Sequence, residues 1–437
     1  MPSSADGAPA AERHRAAEAE LLAEPAGTEA AAGGRVWVRG RGAVLTDLDG
    51  ASCLDLGAGT LTQPLGHCHP AVVAAVREQA GELENVHDNP TPARLRAARA
   101  LRRLLPAALE RVSFFSSGTE VVEASLRVVH AAAEPHRKRI VALRRGFHGK
   151  SRGARALVGW DVGSEPAAAA SLGYNGYCYR CPFQLSYPSC DLLCARLTVS
   201  QCLAKPDVAA LVAEPVQGAA GVIVPPPGYW EILGEACQRY GVLLVADEVL
   251  TGGGRTGPFL ASELFGLRPD LVTLAKGIGS GYPVSALAGP ARLLDAPTFG
   301  RAGGSSSSFG GNAIGLAAAA ATLHTLAADA VLDRVPELAG TLAEGLAPLA
   351  GLSQVGEVRQ AGLLAGIEFV RDPASRAADP ELAAAVARRA AALGVRVLPG
   401  GTVLRVAPPL VIEPAELTAG LALLVRATRE VLSGAAA

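Results

Sequence analysis

Three apolar segments of this chain each run into an ionisable residue. Val208–Ala213 is followed by Glu214, Val242–Ala246 by Asp247-Glu248, and Leu271–Ala275 by Lys276. The chain has only four lysines, Lys138, Lys150, Lys205 and Lys276, so one placed behind an apolar run calls for a reason. The segment after it, Gly277-Ile278-Gly279-Ser280-Gly281, is a loop of little bulk. A lysine drawn out of water gives up its proton more readily and becomes an amine nucleophile toward a carbonyl. An aspartate on a neighbouring strand end can stay ionised against a pyridinium nitrogen. Upstream, Ser116-Ser117-Gly118-Thr119 opens a helical pattern, where N–H groups, hydroxyls and the positive end of the dipole favour an anion. In Gly146-Phe147-His148-Gly149 the aromatic ring suits the face of a planar cofactor. Each feature also has a plainer reading as a solvated loop charge, an N-cap or a turn with a half-buried ring. Together, amine, carboxylate, anion cradle and ring face are what pyridoxal phosphate requires.

Such groups need elements to carry them. Helical stretches Ala71–Leu83, Pro92–Leu105, Val121–Ala133 and Pro227–Tyr240 alternate with apolar runs. The runs are Arg139–Leu143, Val208–Ala213, Val242–Ala246 and Leu271–Ala275. Strands apolar on both faces, interleaved with helices, imply an α/β fold with a mostly parallel sheet covered on both sides. Ligands then bind at the carboxyl ends of the strands, where Glu214, Asp247 and Lys276 fall. Residues 36–56 read as an antiparallel meander punctuated by Gly40, Gly42 and Asp49-Gly50. After about residue 315 come a long Ala/Leu-rich helix, Leu363–Val370, a helix at Pro380–Leu393 and strands Val395–Leu398 and Val403–Val406. The expected organisation is a loose N-terminal arm over 1–34 with weak helical patterning at Ala10–Leu22. A smaller α+β domain is built from 35–70 and 316–437, and a large domain spans 71–315 with a Cys/Tyr-rich insertion at 174–196.

Composition narrows the class. With 49% hydrophobic residues and 40 Lys+Arg against 41 Asp+Glu, the chain can bury a large core and carries no excess positive field for nucleic acid or an anionic membrane. No apolar run reaches the roughly 18–20 residues that span a bilayer. Eight cysteines in 437 residues are too sparse for a disulfide scaffold. With no apolar leader-like run at the N-terminus, they are expected as reduced thiols in the cytoplasm.

Several motifs in order extend this reading. They are Leu65-Gly66-His67-Cys68-His69-Pro70, Ser116–Glu120, Gly146–Gly149, Glu214-Pro215-Val216-Gln217-Gly218, Asp247-Glu248-Val249 with Gly254-Arg255-Thr256-Gly257, Ala275-Lys276-Gly277 and Ser308-Phe309-Gly310-Gly311-Asn312. Over about residues 36–425 the chain resembles the class III aminotransferases of the fold-type I pyridoxal-phosphate enzymes, the group of ornithine and 4-aminobutyrate aminotransferases. The resemblance implies a large domain with a seven-stranded sheet and transfer of an amino group between an amino acid or amine and a 2-oxo acid. It implies that Lys276 is the Schiff-base lysine and proton carrier and that Asp247 partners the pyridine nitrogen. Val249 and Phe147 flank the ring, and His148 belongs to the same cofactor set. Ser117, Gly118 and Thr119 hold the phosphate, and Glu214 lies on the side of the ring hydroxyl. Ser308 stands where the family has a Thr that reaches the phosphate of the neighbouring subunit, which implies a homodimer with shared sites. Arg405 resembles the arginine that clamps a substrate carboxylate.

The sequence departs from the family at the site. Ala219 follows Gln217-Gly218 where many members have the Glu that masks the carboxylate-binding arginine, so Arg405 is expected to stay available. Leu250 replaces a common Gln near the ring hydroxyl, and Gly253 replaces a common Phe. These changes leave open an alternative in which the same site runs racemisation, β- or γ-elimination or carbon–carbon bond formation. A catalytically inactive binding protein on this fold is a third reading, opposed by the retention of Lys276 and Asp247. In the insertion, Cys178, Cys181, Cys190 and Cys194 have spacings open to a zinc site. The favoured reading has no metal there: the thiols pack, and the tyrosines shape a substrate pocket or a dimer contact. Thr60, Leu61, Trp160 and Tyr177 are further pocket candidates. His67 and His69, around Cys68, are read as structural.

Overall fold

The computed structural model describes residues 9–23, 34–159, 171–297, 299–328 and 330–434. Trp160 lies outside the described residues, as do parts of the N-terminal arm. The chain divides into two compact units, Pro70–Val335 and Met1–His69 with Pro336–Ala437.

In the unit Pro70–Val335 the strands are β1 (Arg111–Phe115), β2 (Arg139–Leu143), β3 (Ser171–Gly173), β4 (Val208–Ala213), β5 (Leu243–Asp247), β6 (Leu271–Leu274) and β7 (Ser285–Gly289). They form one seven-stranded sheet in the order β1-β7-β6-β5-β4-β2-β3. Only β7 runs antiparallel to its neighbours β1 and β6; the pairings β6–β5, β5–β4, β4–β2 and β2–β3 are parallel. The longer helices are α1 (Pro70–Ala80), α2 (Pro92–Leu104), α3 (Gly118–Ala132), α4 (Tyr229–Tyr240) and α5 (Ala313–Ala328).

Strand alternation sends successive residues to opposite faces. Val141, Leu211 and Leu244 pack with Tyr229, Trp230, Leu233 and Cys237 of α4. Their neighbours Ala142, Val212 and Val245 pack with Val121, Val122, Leu126 and Val129 of α3. All six residues of β4 are buried, which is why that strand reads as one uninterrupted apolar run. Parallel register aligns Ala213 with Ala246 and Asp247 with Thr273, so the ends of β4, β5 and β6 share one edge. Helix α5 is apolar nearly all round and buried along most of its length, as its Ala/Leu sequence requires. It packs against α1 and α2, so it belongs to this unit and the division falls near residue 335, where the composition reading placed it near 315.

In the other unit the meander forms as expected, with Trp37–Arg41, Val44–Asp47 and Ser52–Asp55 antiparallel. The expected strand Val395–Leu398 is broken at Val397. Val395–Arg396 joins the meander in parallel, whereas Leu398–Gly400 pairs with Val403–Val406 in a second sheet that includes Val355–Ala361 and Leu364–Asp372. Asp55 ties the first sheet to its surroundings. Its fully buried carboxylate accepts from the N–H groups of Gly57 (3.0 Å) and Gly59 (2.7 Å) and from Arg396 (2.8 Å), with His67 Nε2 at 2.8 Å. The structural reading of His67 rests on this pairing. Thr60 and Leu61 follow in a short kinked turn, Ala58–Leu61. Among the described residues no single helix is long and apolar enough to cross a membrane.

Candidate active site

Asp247 is the last residue of β5, 3% exposed, and both of its carboxylate oxygens are engaged. Oδ1 accepts from the Thr273 hydroxyl (3.0 Å) and from the Val249 N–H (3.1 Å), and Oδ2 lies 2.7 Å from His148 Nδ1. Thr273 is the residue registered opposite Asp247 on β6. His148 is fully buried. Burial by itself drives its imidazolium to lose the proton, but the Asp247 carboxylate more than offsets this, and the net shift is upward. Its Nε2 is buried with no hydrogen-bond partner.

Glu214, one residue beyond β4, braces two segments. Oε1 accepts from the Phe147 N–H and Oε2 from the Gly218 N–H, both at 2.9 Å. Burial pushes its carboxyl up to about 7, against the pull of His148. Glu248, by contrast, is structural: its carboxylate takes the Thr251 hydroxyl and the N–H groups of Ala261 (3.0 Å) and Ser262 (2.7 Å).

Lys276 opens a short helical turn beyond β6, half-buried, with φ of 43°. Gly253 lies against this loop, since a Cβ there would stand 3.7 Å from the Gly277 carbonyl carbon. Leu250 packs on Gly218, where an added Cβ would come within 2.2 Å of Leu250 Cδ1.

Ser117 is the N-cap of α3, its hydroxyl accepting from the Glu120 N–H at 3.3 Å. The first N–H groups of that helix, on Gly118 and Thr119, have no intrahelical acceptor by helix geometry. Gly118 is required by contact: a Cβ there would meet Val249 Cγ1 at 2.9 Å and Ala275 Cβ at 3.8 Å. That one glycine shows the start of α3, Val249 and the residue before Lys276 to be neighbours. The buried hydroxyl of Ser116 also lacks a partner. Donors at the helix end, a carboxylate on a strand end and an unpartnered His148 nitrogen fit an anionic, ring-bearing group such as pyridoxal phosphate.

Other expected residues are placed elsewhere. Ser308 is exposed, and its carbonyl accepts from Asn85 at 2.8 Å. Arg405 is on Val403–Val406 of the other unit, registered opposite Leu398 and Gly366. In the insertion, Tyr177 is 5% exposed and packs with Ala220 and Ile223. Arg145 lies over the Tyr177 ring at 5.3 Å and Arg144 over Tyr174 at 4.2 Å. Among the described residues no group of three or more His, Cys, Asp or Glu side chains is placed to hold a metal ion, so the zinc reading of Cys178, Cys181, Cys190 and Cys194 gains no support. Sequence reasoning missed Thr273. Thr273 left a signal, being the one hydroxyl inside an otherwise apolar buried strand.

A family model described as aminotransferase class-III matches residues 28–428. The chain is 34% identical over 409 residues to a 4-aminobutyrate aminotransferase of Mycobacterium leprae, covering 89% of each. It is 38% identical over 382 residues to an acetylornithine aminotransferase of Mycobacterium bovis, covering 86% of this chain and 88% of that one. An amine transaminase from an uncultivated Pseudomonas species, solved in its PLP-bound form, superposes with a TM-score of 0.84 at 32% identity over 99% of both chains. A thermostable omega transaminase mutant from Pseudomonas jessenii gives 0.88 at 25% identity over 98% of both. Racemase, lyase or carbon–carbon chemistry finds no support among these matches. With the family model spanning most of its length, this chain belongs to the class III aminotransferases and is a pyridoxal-phosphate-dependent enzyme.

Proposed function

We propose that the C-terminal edge of the seven-stranded sheet is the transamination site, with Lys276 as covalent anchor and proton carrier and Asp247 as the partner of the ring nitrogen. When bound, pyridoxal phosphate supplies the electron sink that makes the proton beside the substrate's amino group acidic. Lys276 Nζ takes that proton from one carbon and returns it to another. Thr273, Val249 N–H and His148 fix the Asp247 carboxylate in one orientation, so it meets the ring without reorganising. Phe147 and Val249 flank the ring and exclude water from its faces. Ser117 and the N–H groups of Gly118 and Thr119 hold the phosphate. Glu214 acts beside the ring hydroxyl.

The observation that supports this best is the Gly118 contact, which draws the phosphate end, the ring-packing Val249 and the lysine loop together. Lys276→Ala is expected to fold, to lose covalently attached cofactor by intact-protein mass spectrometry, and to stop amino transfer to 2-oxo acids. Retained turnover would remove Lys276 from this role.

The substrates are an amino acid or amine and a 2-oxo acid, and Arg405 binds a substrate carboxylate. Ala219 supports this reading, because it offers no carboxylate to mask the guanidinium. Arg405→Ala is expected to raise KM for carboxylate substrates about tenfold or more, the worth of one charge-assisted pair, and to spare amines that lack one. An unchanged KM excludes the clamp. The enzyme acts in the cytoplasm as a homodimer, with Ser308 reaching the partner's phosphate site.

A further inference from the structure

The hydroxyl protons around Thr119 can be assigned one by one. Glu123 lies one turn beyond Thr119 on α3. Its Oε1 receives the Ser151 hydroxyl at 2.6 Å and the N–H groups of Gly153 (2.8 Å) and Ala154 (3.1 Å). A carboxylate only accepts, so the single hydroxyl proton of Ser151 goes to Glu123. Ser151 Oγ is also 2.6 Å from Thr119 Oγ1. With the Ser151 proton already placed, Thr119 is the donor in that contact. Thr119 Oγ1 in turn accepts the Ser151 N–H at 3.2 Å. The Thr119 hydroxyl proton is therefore directed at Ser151 and is not available to an anion at the start of α3. Ser117 differs: its oxygen accepts from the Glu120 N–H, and among the described residues its proton remains to be given.

The same contacts join two segments. Ser151 closes the turn that carries Phe147 and His148, and at Gly149 (φ +131°) an added Cβ would stand 2.3 Å from Thr119 Oγ1. Turn and helix thus touch directly, and Glu123 fastens them.

We propose that Glu123, Ser151 and Thr119 form a latch that clamps the Phe147–His148 turn onto α3, and that the Thr119 side chain serves this latch instead of the phosphate. Glu123 and Ser151 are then positioning residues for the cofactor. The proposal rests on the reading of the α3 N-terminus as the phosphate site, where Thr119 contributes only its main-chain N–H.

The test is titration of cofactor-stripped full-length protein with pyridoxal phosphate and with pyridoxal, which lacks the phosphate. Because the latch places ring-facing residues, Thr119→Val and Ser151→Ala each weaken both ligands by a similar factor, about fivefold for one lost hydrogen bond. The double variant is no weaker than the worse single, and Ser151→Thr restores binding. Ser117→Ala, in contrast, weakens pyridoxal phosphate selectively. If Thr119→Val is selective for pyridoxal phosphate while Ser151→Ala is silent, the hydroxyl meets the phosphate and the latch assignment fails alone. Multiplying effects of Thr119→Val and Ser151→Ala also overturn it. If Ser117→Ala leaves the preference for the phosphorylated ligand unchanged, the phosphate-site reading fails and takes the latch with it.

Discussion

Glu214 places a proton equilibrium beside the proposed cofactor site at ordinary working pH. A glutamate in water titrates near 4.3, but burial lifts this one to about 7, with His148 pulling it back and Asp247 pushing it further. Its two N–H donors, from Phe147 and Gly218, favour the ionised form, so they limit the rise without cancelling it. The sign follows from the upward shift. The folded protein holds the proton more tightly than the unfolded chain, so the neutral carboxyl is the favoured form in the fold. That stabilising preference is complete below about 4.3 and is lost as pH rises through about 7. Because the carboxyl adjoins the turn that carries Phe147, the visible absorbance of bound cofactor is expected to change with a midpoint near 7 in wild type. His148 is also shifted and close by, so the variant decides the assignment. Glu214→Gln keeps a hydrogen-bonding oxygen and removes the titration, and the midpoint should vanish. Its persistence would assign it to another group.

At the scale of elements, the buried Asp55 holds the smaller unit's first sheet together. Burial raises a carboxyl, but His67 and Arg396 outweigh it and hold Asp55 below its ordinary range. A depressed value means that its stabilising contribution is full above about pH 4 and fades as acid titrates the folded form. Asp55→Asn leaves the Arg396 and His67 side chains, 11% and 14% exposed, without their carboxylate. A loss of about 3 kcal/mol at neutral pH is expected, read from chemical denaturation, and the gap to wild type should narrow below about pH 4. A gap constant with pH would mean that the loss does not come from the ionised carboxylate. This network was invisible in the sequence because it joins residues 55, 67 and 396. What was legible was local. Continuous apolar runs gave β2 and β4 to the residue, because strands buried on both faces leave no polar interruption. Strand β7, Ser-Ala-Leu-Ala-Gly, escaped notice because small residues carry no β-branched signal. The strand at Val395 breaks in two because Val395–Arg396 and Leu398–Gly400 pair with strands of different sheets, and only those partners decide where pairing changes. At the site, Lys276, Asp247 and Glu214 were readable as strand-end charges. Ser151 and Glu123 were not, since a serine in a loop and a glutamate on a helix look like ordinary surface residues.

For the whole molecule, the decisive issue is whether one chain suffices for one site. The hydroxyl of Ser308 has no hydrogen-bond partner among the described residues of its own chain, and the neighbouring Phe309 is 67% exposed. The homodimer proposed above rests on the class III resemblance, which gives Ser308 a role at the partner's phosphate. The proposal of shared sites makes a quantitative demand. Lys276→Ala removes the anchor of its own site, and Ser308→Asp sets a negative charge against the phosphate of the partner's site. Each homodimer is then inactive. When the two variants are unfolded together and reassembled, half of the dimers are mixed, and each mixed dimer has one site spoiled twice and one untouched. Activity should return to about one quarter of wild type. If Ser308 instead serves its own chain's site, every site in the mixture carries one lesion and no activity returns. An active Ser308→Asp homodimer would remove this residue from the phosphate altogether.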